Sequence, residues 1–223
     1  MEYYNTMCVD PKEKIARRAA KEVRPGQVIN LGIGIPTLIP TFLPADMQVT
    51  IHSENGIIGV GGFSKPNEAD RNLIDAGGSY ITTVAGASFC DSALSFALVR
   101  GGRLDLTFLG ALEISSEGDL ANWIIPGKFA PGIGGAMELA QKAKRLVITT
   151  THTARNGAAK ILCNCSLPLT ARACVDMIIT ELAVILVTPT GLILKEIAVE
   201  TDLDTVIRLT EAPLIVSDSL STF

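Results

Sequence analysis

A glutamate in a tight turn is the residue of this sequence best placed to do chemistry. Glu54 follows a short strand predicted at 49–52 and lies in the turn SENG at 53–56. A surface turn more commonly uses Asp or Asn, although a lone Glu in a loop is often only solvated. A carboxylate at such a place can attack an activated acyl group and form a mixed anhydride. The turn therefore predicts acyl transfer with Glu54 as the nucleophile.

A second glycine-rich loop offers backbone amides for the same reaction. Residues 126–135 contain four glycines and two prolines outside any helix or strand pattern, and Gly134 and Gly135 stand at the end of this run. Their N–H groups can hold the oxyanion that develops on an acyl carbon, and losing one such donor costs roughly 3 to 4 kcal/mol of transition-state stabilisation. We expect Gly134 and Gly135 to lie close to Glu54.

A third glycine motif, Gly32-x-Gly34, lies between a strand predicted at 27–31 and a helix predicted to begin near Pro36. A dinucleotide fingerprint needs a further glycine three residues on, where this sequence has Thr37. NAD binding is therefore weakly supported. A tight turn that lets the backbone approach a ligand or another loop remains an equal interpretation.

Other catalytic motifs are missing from the sequence. It has no P-loop and no Gly-x-Ser-x-Gly nucleophile elbow. His52-Ser53-Glu54 resembles the His-x-Glu of zinc deaminases, but no Pro-Cys-x-x-Cys follows, and the chain has only two histidines. We therefore expect no metal site.

Composition limits the partners. The 223 residues carry 19 basic and 23 acidic side chains, a balance that does not favour nucleic acid. No apolar run reaches the ~18 to 20 residues of a membrane span, and no secretion signal is evident, so we expect a cytoplasmic protein that does not bind membranes. Charged residues make up 19% of the chain, below the ~25% of typical soluble domains, which favours an oligomer.

Helical and strand patterns alternate along the chain. We predict helices at 11–24, with its basic residues facing solvent, at 88–100 and at 170–179, a loop from 53 to 62, and a hairpin of strands at 181–187 and 192–197. The alternation predicts an α/β fold with a single open, mainly parallel sheet flanked by helices and an added antiparallel hairpin. We expect one domain over 1–223, with 1–10 as a flexible N-terminus.

The motifs around these residues resemble the β subunit of the family I 3-oxoacid CoA-transferases, which includes acetate/acetoacetate and butyrate/acetoacetate enzymes. The similarity extends over about residues 12–217 in the same order and spacing. Five runs carry it: NLGIGIPT at 30–37, SENGIIG at 53–59, SFALVRGG at 95–102, LANWIIPGK at 120–128 and GIGGAM at 132–137. Two positions depart from the family pattern: His52 stands where Gln is expected, and Glu138 where Asp is expected.

The resemblance implies a ping-pong reaction in which Glu54 becomes a covalent glutamyl-CoA thioester and Gly134 and Gly135 lie against the thioester carbonyl. It further implies substrate contacts at four residues: Gly32, Gly34, Asn55 and Gly56. Coenzyme A is then a co-substrate, and no cofactor is needed.

The resemblance also implies partners. The chain is expected to be active only with an α subunit, as an α2β2 hetero-oligomer, on acyl-CoA and short carboxylic acids of ketone-body or short-chain fatty-acid metabolism. Two other interpretations stay open: a non-catalytic module that binds CoA esters, and, less favoured, a sugar-phosphate isomerase of similar topology.

Overall fold

The computed structural model describes residues 10–128 and 132–223. The N-terminus predicted to be flexible lies outside the described residues, apart from Asp10, and so does the centre of the glycine run at 129–131.

Thirteen strands form two sheets in the described part of the chain. In order they are β1 (Val28–Leu31), β2 (Thr50–Ser53), β3 (Ile57–Phe63), β4 (Ile81–Phe89), β5 (Leu106–Leu109), β6 (Glu113–Ser115), β7 (Leu120–Ala121), β8 (Leu146–Thr149), β9 (Ile161–Leu162), β10 (Met177–Ile179), β11 (Ala183–Thr188), β12 (Gly191–Ile197) and β13 (Leu214–Thr222). The large sheet has ten strands in the order β13-β12-β11-β10-β8-β5-β1-β2-β3-β4, and the small one has the order β7-β6-β9.

The centre of the large sheet is parallel. Strands β10, β8, β5, β1 and β2 run in one direction, β3 and β4 add antiparallel pairs at one end, and β11 and β12 form the predicted hairpin at the other. The predicted fold class, an open and mainly parallel sheet with an antiparallel hairpin, is confirmed. Because β1 and β2 are parallel neighbours, the segments that follow them, Gly32 and Glu54, emerge at the same edge of the sheet.

Helices cover both faces of the large sheet. They are α1 (Pro11–Ala20), a 3₁₀ helix (Ile35–Phe42), α2 (Ser92–Arg100), α3 (Ala136–Lys142) and α4 (Leu203–Leu209). Aspartates cap three of them: the side chains of Asp10, Asp91 and Asp202 accept hydrogen bonds from first-turn amides.

Two apolar cores lie on opposite faces of the sheet. Alternate strand residues belong to different cores: Val147 packs with α1 and the 3₁₀ helix, whereas Ile148 packs with α2, α3 and α4. The side chains of β2 divide in the same way, so Ile51 faces the 3₁₀ helix and His52 faces α2. Glu54, two positions after His52, therefore emerges on the α2 side.

Three local predictions are wrong. The predicted loop to Gly62 contains β3, and the helix predicted at 170–179 is irregular chain that ends in β10. The helix predicted at 11–24 ends at Ala20, and one of its basic residues, Arg18, is buried rather than solvated. Its guanidinium contacts the carboxylates of Glu22 and Glu196.

Candidate active site

Glu54 lies immediately after β2, half-buried, at the start of a turn that only glycine can close. The amide of Gly56 donates to the carbonyl of Ser53 at 3.0 Å, and Gly56 has φ +116°. A Cβ at position 56 would lie 1.9 Å from the carbonyl oxygen of Cys90. The close approach to Cys90 and the positive φ exclude other residue types here. Gly56 therefore shapes the turn that presents Glu54.

A buried asparagine holds the Glu54 carboxylate. Asn30 lies on β1 and is fully buried. Its Nδ2 donates to Glu54 Oε2 at 3.0 Å and to the backbone oxygen of His52 at 3.2 Å. Glu54 Oε1 accepts no hydrogen bond from residues 10–128 or 132–223. One carboxylate oxygen is thus fixed, and the other is available to a reactant.

His52 is a packing residue beside the site. The ring is buried, and Nε2 lies 2.8 Å from Ser95 Oγ on α2. Burial lowers the pKa of His52, while the negative charge of Glu54 opposes that shift. The lowered pKa favours the neutral ring, which fixes the end of β2 against α2 and needs no catalytic role.

The glycine loop reaches Glu54 at Gly135. A Cβ at Gly135 would lie 2.7 Å from the ring of Phe96 on α2 and 3.4 Å from Glu54 Cγ. At Gly134 a Cβ would meet nothing within 4 Å, and this residue has φ +53°. Neither amide donates a hydrogen bond to another part of the chain that the structure describes. Gly135 therefore lies close to the Glu54 side chain, and the catalytic role of Gly134 and Gly135 stays a prediction.

The residues on either side of Glu54 hydrogen-bond to a second loop, at 74–79. Ser53 Oγ accepts a hydrogen bond from the amide of Ala76 at 2.9 Å. Asn55 Nδ2 donates to the carbonyl of Ile74 at 2.8 Å. The side-chain amide of Asn55, a residue predicted to contact substrate, is thus hydrogen-bonded to the loop at 74–79. Through these two bonds, Ser53 and Asn55 place this loop across from Glu54.

A small pocket of about 80 Å³ contains Glu54. Its wall includes Gly32, Gly34, Asp75 and Gly77. A Cβ at Gly32 would lie 3.0 Å from the carbonyl oxygen of Phe108, and Gly34 has φ +92°, so both positions favour glycine. Of the residues predicted to bind substrate, Gly32 and Gly34 line this pocket, whereas Asn55 and Gly56 lie behind it and shape the turn.

Sequence reasoning missed Asn30 and Asp75. Asn30 interrupts the apolar strand β1, and a polar residue at the centre of a buried strand is a signal that could have found it. Asp75 belongs to a loop 21 positions after Glu54 with no motif of its own. The contacts of Ser53 and Asn55 with that loop help to bring Asp75 to the pocket.

Within the described residues, no group of three or more His, Cys, Asp or Glu side chains could hold a metal ion. No helix in the same residues is long and apolar enough to cross a bilayer. The chemistry available at the site is that of a carboxylate beside backbone amides.

Relatives of known name match most of this chain. The chain is 51% identical over 206 residues to a probable coenzyme A transferase subunit beta of Bacillus subtilis, covering 92% of this chain and 95% of that protein. It is 48% identical to the acetate CoA-transferase subunit beta of Haemophilus influenzae over 94% of each chain.

The fold also has a solved counterpart. An acyl-CoA transferase of Escherichia coli O157:H7 superposes with a TM-score of 0.78 at 24% identity. The match covers 96% of this chain and 43% of that one, so this chain spans less than half of that enzyme. The family description "Coenzyme A transferase" matches residues 12–202. The chain belongs to the coenzyme A transferase family.

Proposed function

We propose that this chain is the β subunit of a CoA-transferase that moves CoA between an acyl-CoA and a carboxylic acid through a thioester on Glu54. The observation that carries the proposal is the Glu54 carboxylate itself, which lies in a small pocket, bonded to Asn30 at one oxygen and close to Gly135. A carboxylate nucleophile passes the thioester energy from one acid to another with no external energy source.

The reaction has two halves. Glu54 attacks the carbonyl carbon of the acyl-CoA, which forms an acyl-glutamyl anhydride and releases CoA as a thiolate. The thiolate then attacks the Glu54 carbonyl carbon, which forms the glutamyl-CoA thioester and releases the donor acid. The acceptor carboxylate reverses both steps, so that CoA leaves on the acceptor and the Glu54 carboxylate is restored.

Two carbonyl groups become tetrahedral along this route, and the site supplies donors near Glu54 for both. Asn30 Nδ2 is 3.0 Å from Glu54 Oε2, the oxygen that gains charge when the thiolate attacks the Glu54 carbon. The amides of Gly134 and Gly135 are the proposed donors to the oxygen of the substrate acyl group. Preorganised donors of this kind stabilise charge as it develops.

The thioester must be protected from water, and this chain covers only part of the site. Several large apolar side chains are exposed next to it, in or beside β3, β4 and α2: Ile33, Phe63, Tyr80, Val84, Phe89 and Leu94. An α subunit seated on these residues would close the cleft and account for the sparse charge of the chain. We propose activity only in such a complex, an α2β2 assembly in the cytoplasm.

Several relatives are named acetate CoA-transferases or succinyl-CoA:3-ketoacid coenzyme A transferases, and these names support short carboxylic acids as the substrate class. No cofactor is part of the proposed reaction, and coenzyme A is a co-substrate. A place in ketone-body or short-chain fatty-acid metabolism follows from such substrates.

Steady-state exchange between acyl-CoA and acid, measured on the chain purified with its α subunit, tests the proposal. Parallel lines in double-reciprocal plots are expected, and Glu54→Gln should reduce kcat by more than about 1000-fold, because an amide oxygen is a poor nucleophile. Glu117→Gln, the same charge change at an exposed turn residue, is the matched control. If Glu54→Gln exchanges CoA at the control rate, the proposal is wrong. Binding of CoA esters without exchange would favour a non-catalytic module.

A further inference from the structure

An apolar pocket of about 510 Å³ lies beside the Glu54 pocket, on the 3₁₀-helix side of the sheet. Its walls come from the segment after the 3₁₀ helix and from strands β2, β3 and β4. The apolar side chains that line it include Leu43, Met47, Val49, Ile51, Val60 and Ile81. Its volume falls within the ~300 to 1,000 Å³ of ligand pockets and is large enough for a hydrocarbon tail.

The apolar pocket shares part of its wall with the catalytic one. Leu31, Thr37, Ser53 and Asp75 line both. Ser53 immediately precedes Glu54, so the shared wall begins one residue from the nucleophile. An acyl group whose carbonyl is held at Glu54 can therefore place its tail past Ser53 and into the apolar pocket.

Asp75 gives the junction of the two pockets a negative charge. Its Oδ1 accepts a hydrogen bond from the amide of Ser79 at 2.8 Å. In the described part of the chain, no Lys or Arg lies within salt-bridge distance of Asp75, and none lines the apolar pocket. A second carboxylate on an acyl group would meet this charge without a compensating cation, which is unfavourable. A hydrocarbon tail meets no such penalty.

We infer that the apolar pocket binds the tail of the acyl group, and that the charge of Asp75 restricts the substrates to monocarboxylic acyl groups with apolar tails. The inference rests on the proposed CoA transfer at Glu54. Dicarboxylic groups such as succinyl are excluded by charge, and acetyl is a weaker substrate because it leaves the pocket unfilled. The exposed side chains of Phe63 and Val84 lie at the pocket's edge, where a partner chain can close it.

A chain-length series tests the pocket. With the chain and its α subunit, kcat/KM is measured for acetyl-CoA, butanoyl-CoA, hexanoyl-CoA and octanoyl-CoA against one acceptor. Each methylene that enters the pocket should raise kcat/KM by about fourfold until the pocket is full. Val60→Phe, which fills the pocket from β3, should reduce the ratio of hexanoyl to acetyl activity by at least about tenfold.

Val216→Phe is the matched control, because Val216 is an exposed valine on β13 at the opposite end of the sheet. It should leave the chain-length profile unchanged. A flat profile in the wild-type complex, or equal losses for hexanoyl and acetyl substrates in Val60→Phe, overturns the inference. A flat profile would also be the result if the α subunit fills the pocket.

Asp75→Asn tests the charge. Asn can still accept the hydrogen bond from Ser79, so the loop keeps its anchor. The ratio of succinyl to butanoyl activity should rise by at least about tenfold, whereas a purely structural role would change both activities alike. An unchanged ratio overturns the role of Asp75. Trapping of the Glu54 thioester separates the tail-pocket proposal from the proposed CoA transfer. If the adduct forms equally well whatever the acyl tail, only the tail pocket is refuted. If no acyl-CoA gives an adduct, the CoA transfer itself is refuted.

Discussion

Strand pairing, in addition to the local turn, positions the Glu54 carboxylate. Asn30 and Glu54 are 24 positions apart, yet the parallel register of β1 and β2 sets Asn30 opposite His52 and brings the amide to the carboxylate. The hydrogen bond orients one oxygen and leaves the other for the substrate. A nucleophile held in this way loses little freedom when it reacts.

Alanine substitutions at Gly134 and Gly135 distinguish the effect of a steric clash on activity from the effect of a strained backbone conformation. Gly135→Ala should reduce kcat by at least about 100-fold, because its Cβ would lie 2.7 Å from Phe96 and push the loop away from Glu54. Gly134→Ala adds a Cβ in open space and strains only a positive φ, at a cost of about 1 kcal/mol.

Exchange kinetics and thermal unfolding of both variants check this expectation. The activity of Gly135→Ala should fall far more than that of Gly134→Ala, while both proteins stay folded. Equal activity in the two variants would show that the contact between Gly135 and Glu54 does not matter for the reaction.

Among the elements, glycine-rich β3 was the hardest to predict. Its sequence IIGVGGF suggests a loop, but its glycines are needed for pairing with β4. A Cβ at Gly59 would lie 3.1 Å from Ala87, and one at Gly61 would lie 2.5 Å from Thr82 Oγ1. The register shifts at these positions. Glycine here accommodates bulges within a strand, which a single-sequence pattern does not distinguish from a loop.

A single-sequence pattern is also insufficient at 170–179, where a helix is predicted. The structure has irregular chain there, and its hydrogen bonds reach residues far away in the sequence. The amides of Cys174 and Val175, for example, donate to the carbonyl of Gly118. By contrast, the alternation that predicts the parallel sheet, the hairpin of β11 and β12, and the position of Glu54 are local signals. Those parts of the fold could be predicted from the sequence.

Arg18 shows why the sequence pattern does not predict that part of the basic face of α1 is buried. Burial would by itself lower its pKa, but hydrogen bonds and charges from Glu196 and Glu22 outweigh burial and raise it. The guanidinium connects α1 to β12, and Arg145 adds a second contact to Glu22. A helical period identifies the apolar stripe of α1 but not a partner 178 positions away.

Arg18→Ala should therefore lower the free energy of unfolding by about 3 to 5 kcal/mol, since it leaves the partly buried Glu196 carboxylate without this partner and Glu22 with Arg145 alone. Arg100→Ala is the matched control, because the pair of Arg100 with Glu138 is solvent-exposed and should contribute no more than about 1 kcal/mol. Urea unfolding of both variants measures the difference. Equal losses would show that the Arg18 cluster is as weak as a surface pair.

For the whole molecule, stability should depend on a histidine far from the proposed chemistry. His152 is fully buried, with Nδ1 at 2.9 Å from Thr180 Oγ1 and Nε2 at 2.9 Å from Thr210 Oγ1. The Thr210 hydroxyl donates to the carbonyl of Val206, so Nε2 donates to Thr210, and a neutral ring then accepts at Nδ1 from the Thr180 hydroxyl. Burial favours this neutral ring.

Burial lowers the pKa of His152 to about 4 from 6.5. Between these pH values the unfolded chain therefore binds a proton at His152 more readily than the folded chain does. The contribution of the neutral ring to the free energy of unfolding is complete above pH 6.5 and is lost as the pH falls toward 4. The free energy of unfolding should decrease by about 3 kcal/mol over this interval. Urea titrations from pH 4 to 7 check this, and His52→Gln should keep most of the slope. Stability independent of pH in that range would contradict the assignment.

The covalent intermediate is the most direct test of the account. The chain and its α subunit are incubated with an acyl-CoA in the absence of an acceptor acid, and the intact mass of each chain is measured. The account predicts that this chain alone gains the mass of CoA less one water, and that peptide mapping places the addition on Glu54. Continued CoA exchange with no addition to this chain, or an addition at any other residue, would contradict it.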